Sequence, residues 1–168
     1  MPRSFDLSAD YQFPVEQVHQ AFSDEQYWLA RLTDSGADDF ALDSMNVNAD
    51  GSLQIATMQA LRRDRLPALV TQFHRGDLRI VRHEKWSPVS GGQAHAVFSG
   101  AVPGAPVSVS GKGALEPTAT GSRLVFNVTV EVKVPLVGGK IEGFIGSQLA
   151  ELVIAEQRFT SVWLAENA

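Results

Sequence analysis

Three sets of residues in this chain are of types that could do chemistry. The first is Gly138-Gly139-Lys140, which ends a β-like run and opens a helical one, the general order of a phosphate-binding loop. Such a loop needs a glycine five residues ahead of the Gly-Lys pair and a Ser or Thr after the lysine, so that backbone N–H groups wrap the phosphates and a hydroxyl reaches magnesium. Those places hold Val134 and Ile141, so the glycines read as a turn and hinge that binds no nucleotide. The second set is the four histidines, His19, His74, His83 and His95, none of which shares the i, i+4 or His-x-His spacing that builds a metal site. No metal and no cofactor is assigned, and the strand phase turns His83 and His95 outward. The third set is Arg82 and Glu84, which share a strand face with Leu78, Ile80 and Trp86. Turned inward, they would set a charged pair in the interior, where charge is costly unless paired or used, and could orient the polar head of a ligand. A bulge or register slip would return both to solvent, and the sequence leaves the two arrangements open.

No Gly-x-Ser-x-Gly elbow and no cysteine is present, so nothing in the chain marks an ordered nucleophile. The 168 residues suffice for one domain, 1–168, with a substantial core, and are too few for two ordinary ones. A formal net charge of −5 argues against nucleic acid as a partner. The basic runs Arg62-Arg63-Asp64-Arg65 and Arg75 to Lys85 are interrupted by acids and read as solvated faces. The N-terminus carries Asp6 and Asp10 and no apolar run suited to a signal peptide, so a cytoplasmic location is the default expectation. No stretch approaches the roughly 18 uninterrupted apolar residues of a membrane helix, and no integral membrane segment is expected.

The elements that must position these residues follow from periodicity. Phe5, Leu7, Ala9 and Tyr11 alternate with polar residues as a half-buried strand. Pro14 suits a helix start, with Val15, Val18, Ala21 and Phe22 at helical spacing; Ser23 with Gln26 reads as the capping box of a second short helix containing Tyr27, Trp28, Arg31 and Leu32. The period then changes to two. Phe40 to Val47 and Leu53 to Leu61 flank Asp50-Gly51, a strong hairpin signal. "DRLPALVTQFHRGD" interrupts the strands as a short helix or a folded-over lid. Strands resume at Leu78 to Trp86, Ala94 to Val102, Pro106 to Leu115 and Ser122 to Val134. Short turns between them imply an antiparallel meander. Pro135 stops the last strand, and Ile141, Ile145, Leu149, Leu152, Phe159 and Trp163 form one stripe of a long amphipathic helix. Within it Gly143 and Gly146 read as positions that let the helix approach the sheet or leave room beside it.

That order, with "MPRSFDLSADYQFPVEQVHQAFSDEQYW" at one end and "VEVKVPLVGGKIEGFIGSQLAELVIAEQRFTSVWL" at the other, resembles the START-like superfamily, the helix-grip fold of polyketide cyclases, lipid-transfer domains and the major birch-pollen allergen. More narrowly it resembles an uncharacterised actinobacterial subfamily grouped as a domain of unknown function. The resemblance implies an α+β fold in which a curved seven-stranded antiparallel sheet grips the last helix, with two short helices after the first strand and an apolar cavity between sheet and helix.

Small inward residues on the strands (Ala9, Thr57, Ala94, Ala96, Gly100, Gly111, Gly113) point to the same cavity, with dense packing as the alternative. Its expected walls are Ile55, Trp86, Phe98, Val109, Phe126, Val128, Ile145, Leu149 and Leu152, with Leu66, Leu69 and Phe73 near a mouth and Arg82 and Glu84 inside. Three functions are consistent with this. One is binding or transport of a hydrophobic, lipid or polyketide-like ligand by a monomer or weak dimer. The second is a cyclase or hydrolase in the same cavity, for which Arg82, Glu84 and His95 are the first residues to test. The third is a protein-interaction module.

Overall fold

In a computed structural model, described here for residues 2–72 and 74–167, seven strands form one antiparallel sheet in the order β1-β7-β6-β5-β4-β3-β2. The strands are β1 (Arg3–Tyr11), β2 (Asp39–Val47), β3 (Leu53–Leu61), β4 (Leu78–Trp86), β5 (Ala94–Ala101), β6 (Val107–Pro117) and β7 (Ser122–Val132). Two short helices, α1 (Val15–Phe22) and α2 (Glu25–Asp34), follow β1, and the long α4 (Gly138–Glu166) lies across β1 and β7. Between β3 and β4 the chain makes a 3-10 turn (Arg63–Arg65) and the one-turn helix α3 (Ala68–Thr71). This is an α+β, helix-grip arrangement. Phe73, expected near a mouth, lies outside the described residues.

The sheet is sealed at one end and looser at the other. Where β3 and β5 begin and β4 and β6 end, the inward residues Leu53, Ile55, Trp86, Ala94, Ala96 and Leu115 are buried. At the opposite end Leu61, Leu78, Ile80, Gly100, Val107 and Val109, on β3 to β6, are only half-buried, while Val130 and Val132 of β7 are buried in a cluster with Ile141 of α4. The seal comes from α1 and α2. The Phe22 ring sits 5.0 Å from Trp86, whose ring leads through Phe98 (5.8 Å) to Phe126 (a further 5.7 Å) along the concave face. His19 belongs to this seal: it is 8% exposed, packs edge-on against Trp86, and one ring nitrogen bonds the Ser87 carbonyl oxygen at 2.8 Å.

Three local expectations need correcting. The cap of α2 is Asp24 rather than Ser23: the Asp24 carboxylate accepts from the Gln26 N–H at 2.9 Å, while the Ser23 hydroxyl turns back to donate to the Gln20 carbonyl. The last strand stops at Val132, not Val134, and there the Val132 N–H donates at 2.9 Å to the buried Glu142 carboxylate. Nor are Gly138 and Gly139 the hinge. Both are already in α4, and the reversal falls on Leu136, fully exposed at φ +70°, a left-handed conformation that costs a side chain roughly 1 kcal/mol or more. The role of Gly138 is steric, since a Cβ there would stand 2.6 Å from the Val132 carbonyl oxygen. Gly146 does let helix meet sheet, whereas at Gly143 the neighbour is only the end of the flexible Arg3 side chain. A Cβ on Gly143 would stand 2.6 Å from Arg3 Nη1, and one on Gly146 would overlap the Phe5 ring.

Candidate functional site

The alternation of β4 is unbroken, so Arg82, Glu84 and Trp86 all point to the concave face. Arg82 lies opposite Thr57 on one side and Gly100 on the other, and Glu84 opposite Ile55 and Phe98, with no bulge between them. Glu84 is 7% exposed. Its Oε1 accepts from the Trp86 indole N–H at 3.2 Å and its Oε2 lies 3.6 Å from Arg82 Nη2.

Two residues from helices complete a quartet. Arg31 reaches in from α2 and Glu156 from α4. The Glu156 carboxylate is gripped between the two guanidiniums: Arg82 donates Nη1–H to Oε2 at 2.7 Å and Nη2–H to Oε1 at 3.4 Å, while Arg31 Nη2 pairs with Oε1. The guanidinium of Arg31 also stacks 4.7 Å from the Trp28 ring centroid, a cation–π contact that holds it in place. A hydrogen-bond chain backs the group. Thr160 gives its proton to the Glu156 carbonyl at 2.7 Å, so the buried Tyr27 hydroxyl donates to Thr160 at 2.6 Å and accepts from Arg31 at 3.3 Å. Burial pushes the Glu156 carboxyl up, but the charges and hydrogen bonds of the two arginines outweigh it and hold the group at about 2. Glu156 therefore stays ionised between the two arginines.

Three members of the quartet, all but Glu84, face a small cavity of about 80 Å³. Arg31, Arg82 and Glu156 form its polar wall, Trp28, Leu152 and Phe159 its apolar wall, and Thr57 and Gln59 add a hydroxyl and an amide. Of the residues expected to wall a cavity, Arg82 and Leu152 line this one. Ile55, Trp86, Phe98 and Phe126 lie in or against the main core, and Val128 is buried. Leu69, Val109, Ile145 and Leu149 gather in a second apolar cluster around Val130, Val132 and Ile141. Leu66, beside α3, is half-buried.

His95 does not join Arg82 and Glu84: it is exposed on the convex face, between the inward residues Ala94 and Ala96. Register also separates it from His83, which pairs with Ser99, four residues along β5. The sequence reading missed Arg31 and Glu156, although Glu156 falls within the apolar stripe, four residues after Leu152 and three before Phe159. A carboxylate interrupting a buried stripe was the available signal.

Comparison with known proteins adds the following. A family model described as "Protein of unknown function (DUF2505)" matches residues 6–164. The uncharacterised protein Rv0481c of Mycobacterium tuberculosis (strain ATCC 25618 / H37Rv) is 46% identical over 173 residues, covering 99% of both chains, and Mb0491c of Mycobacterium bovis matches equally. Among solved structures, TTHA0849 from Thermus thermophilus aligns over 100% of both chains with a TM-score of 0.60 at 14% identity. Ara h 8.0201 aligns over 99% of this chain and 100% of its own with a TM-score of 0.57 at 12% identity. Ms6760 from Mycobacterium smegmatis aligns over 98% and 92% with a TM-score of 0.59 at 8% identity. At such identities the likeness is one of fold alone.

Proposed function

Since the chain belongs to the DUF2505 family of proteins of unknown function, and that membership brings no activity with it, we propose from the geometry that it binds a hydrophobic or amphipathic small molecule between sheet and C-terminal helix. The ligand is of the lipid or polyketide-like kind. One observation carries this reading: the concave face is sealed by aromatics at one end and half-buried and apolar along β3 to β6 at the other, and Arg31, Arg82 and Glu156 stand between the two. An apolar chain entering at the loose end would cover Ile80, Val109 and Leu149, and its polar end would come to rest beside Arg82 and Glu156.

The cavity of about 80 Å³ is far below the roughly 300–1,000 Å³ of ordinary ligand pockets. Occupancy thus requires the loose end to part. The element placed to move is α3, four residues long, none of them buried, whose Leu69 rests on the second apolar cluster. The polar groups Arg31, Arg82, Glu156, Thr57 and Gln59 stand against the apolar Trp28, Leu152 and Phe159, so an amphipathic ligand finds both kinds of wall in one cavity.

The test is titration with a fluorescent lipid analogue against the wild-type protein and Leu152→Trp, which fills the cavity beside the quartet. One saturable site, lost in the variant while its circular dichroism is unchanged, is the expected result. Unsaturable uptake, or equal binding by both proteins, would overturn the reading.

A further inference from the structure

We propose that Glu156 is a built-in counter-ion to the Arg31–Arg82 pair, and that the site consequently takes a ligand with a neutral hydrogen-bonding head, a hydroxyl or carbonyl, and rejects a carboxylate. The inference rests on the binding reading above and specifies the class of ligand.

Two guanidiniums converging from α2 and β4 are the arrangement that ordinarily attracts a carboxylate, because each presents a planar fork of donors. Here the place is taken. Both oxygens of Glu156 are engaged, Oε2 by Arg82 and Oε1 by Arg31 and Arg82 together. Glu84 adds a second negative charge on the far side of Arg82, and Asp34 lines the same cavity.

An arriving carboxylate would be a further negative charge among these three acids, and would have to displace an intramolecular partner already anchored on the helix. An ammonium would meet two arginines. A neutral head meets neither objection. Thr57 and Gln59, whose hydroxyl and amide can each donate and accept, line the same cavity. Size does not discriminate, since a hydroxyl, a carbonyl and a carboxylate are all small against about 80 Å³. Charge does. The low Glu156 pKa, about 2, keeps the counter-ion ionised at neutral and mildly acidic pH.

The experiment compares hexadecanol with palmitate, which share a chain length and differ in the head, by displacement of the fluorescent analogue at pH 8. Wild type should bind hexadecanol at least tenfold more tightly than palmitate. Glu156→Gln, removing the carboxylate that both arginines grip, should reverse the order, and Glu156→Asp should keep the wild-type order.

Wild type binding palmitate as tightly as hexadecanol, or an unchanged order in Glu156→Gln, overturns the inference while leaving the binding reading intact. Wild type binding neither probe saturably brings down both. Should Glu156→Gln fail to fold, the wild-type ratio alone decides.

Discussion

Replacing Glu156 by Gln probes the quartet most directly. The amide keeps the shape and removes the charge, so Arg31 loses its carboxylate partner and Arg82 keeps only Glu84, 3.6 Å away. Two routes give the cost. The fall of the Glu156 pKa from its ordinary 4.5 to about 2 is linked to about 3 kcal/mol of stability. Breaking a buried ion pair from one side typically costs about 3–5 kcal/mol, and side-chain exposures of 12% for Arg31 and 22% for Glu156 put this one at the low end.

The sign with pH follows from the direction of the shift. Because the folded pKa is depressed, the contribution is fully present above pH 4.5 and is lost as pH falls towards 2, where the folded carboxylate itself protonates. Urea unfolding of wild type and Glu156→Gln should therefore differ by about 3 kcal/mol at pH 7, and the two should converge between about pH 4.5 and 2. A difference below about 0.5 kcal/mol at pH 7, the level of an ordinary surface pair, would refute the reasoning, as would a gap that stays constant down to pH 2.

Two further outcomes follow from packing. Gly138→Ala should destabilise by about 1–3 kcal/mol, because its Cβ would stand 2.6 Å from the Val132 carbonyl oxygen; Gly139→Ala, which meets nothing within 4 Å, should stabilise by up to about 1 kcal/mol. Denaturation midpoints of the pair check this, and equal shifts would show that the glycines serve the same purpose. Leu149→Ala, in the half-buried second cluster, should lose about 2 kcal/mol, the low end for a leucine, and an unchanged midpoint would remove it from the interior.

The strands were legible because a period of two needs no tertiary information. Leu124 to Val132 announces its faces by itself, and Asp50-Gly51 marks its hairpin, with Gly51 at φ +93°. The turn before α4 was misassigned because a glycine can be needed for its backbone freedom or for its missing side chain, and sequence does not separate the two. Gly138 is the second case, and the strained position is a leucine. The orientation of Arg82 and Glu84 stayed open for a related reason: a single bulge would have reversed it, and only the register with β3 and β5 shows that none occurs there. Arg31 and Glu156 were illegible as a pair because Arg31 reads alone as the polar side of a short helix, and Glu156, although it interrupts an apolar stripe, names no partner. Their meeting depends on how α2 and α4 rotate against the sheet, and that rotation is set by contacts far apart in sequence, such as Tyr27 to Thr160.

The place of the quartet in the fold constrains what binding can be. At the sealed end four charges would lose nearly all their hydration; at the boundary Arg31, Arg82 and Glu156 keep side-chain exposures of 12–23%, and water softens the cost. A ligand that closes the loose end removes that water. Its apolar part contributes about 5 kcal/mol for each 200 Å² or so taken from solvent, but closure raises the desolvation of Arg31, Arg82 and Glu156 at once. The free energy of the chain is realised in full only if the head of the ligand replaces the hydrogen bonds the departing water made. A polar head is then a condition of tight binding rather than its driving force, and a pure hydrocarbon of equal length should bind less tightly than its terminal alcohol despite its greater hydrophobicity.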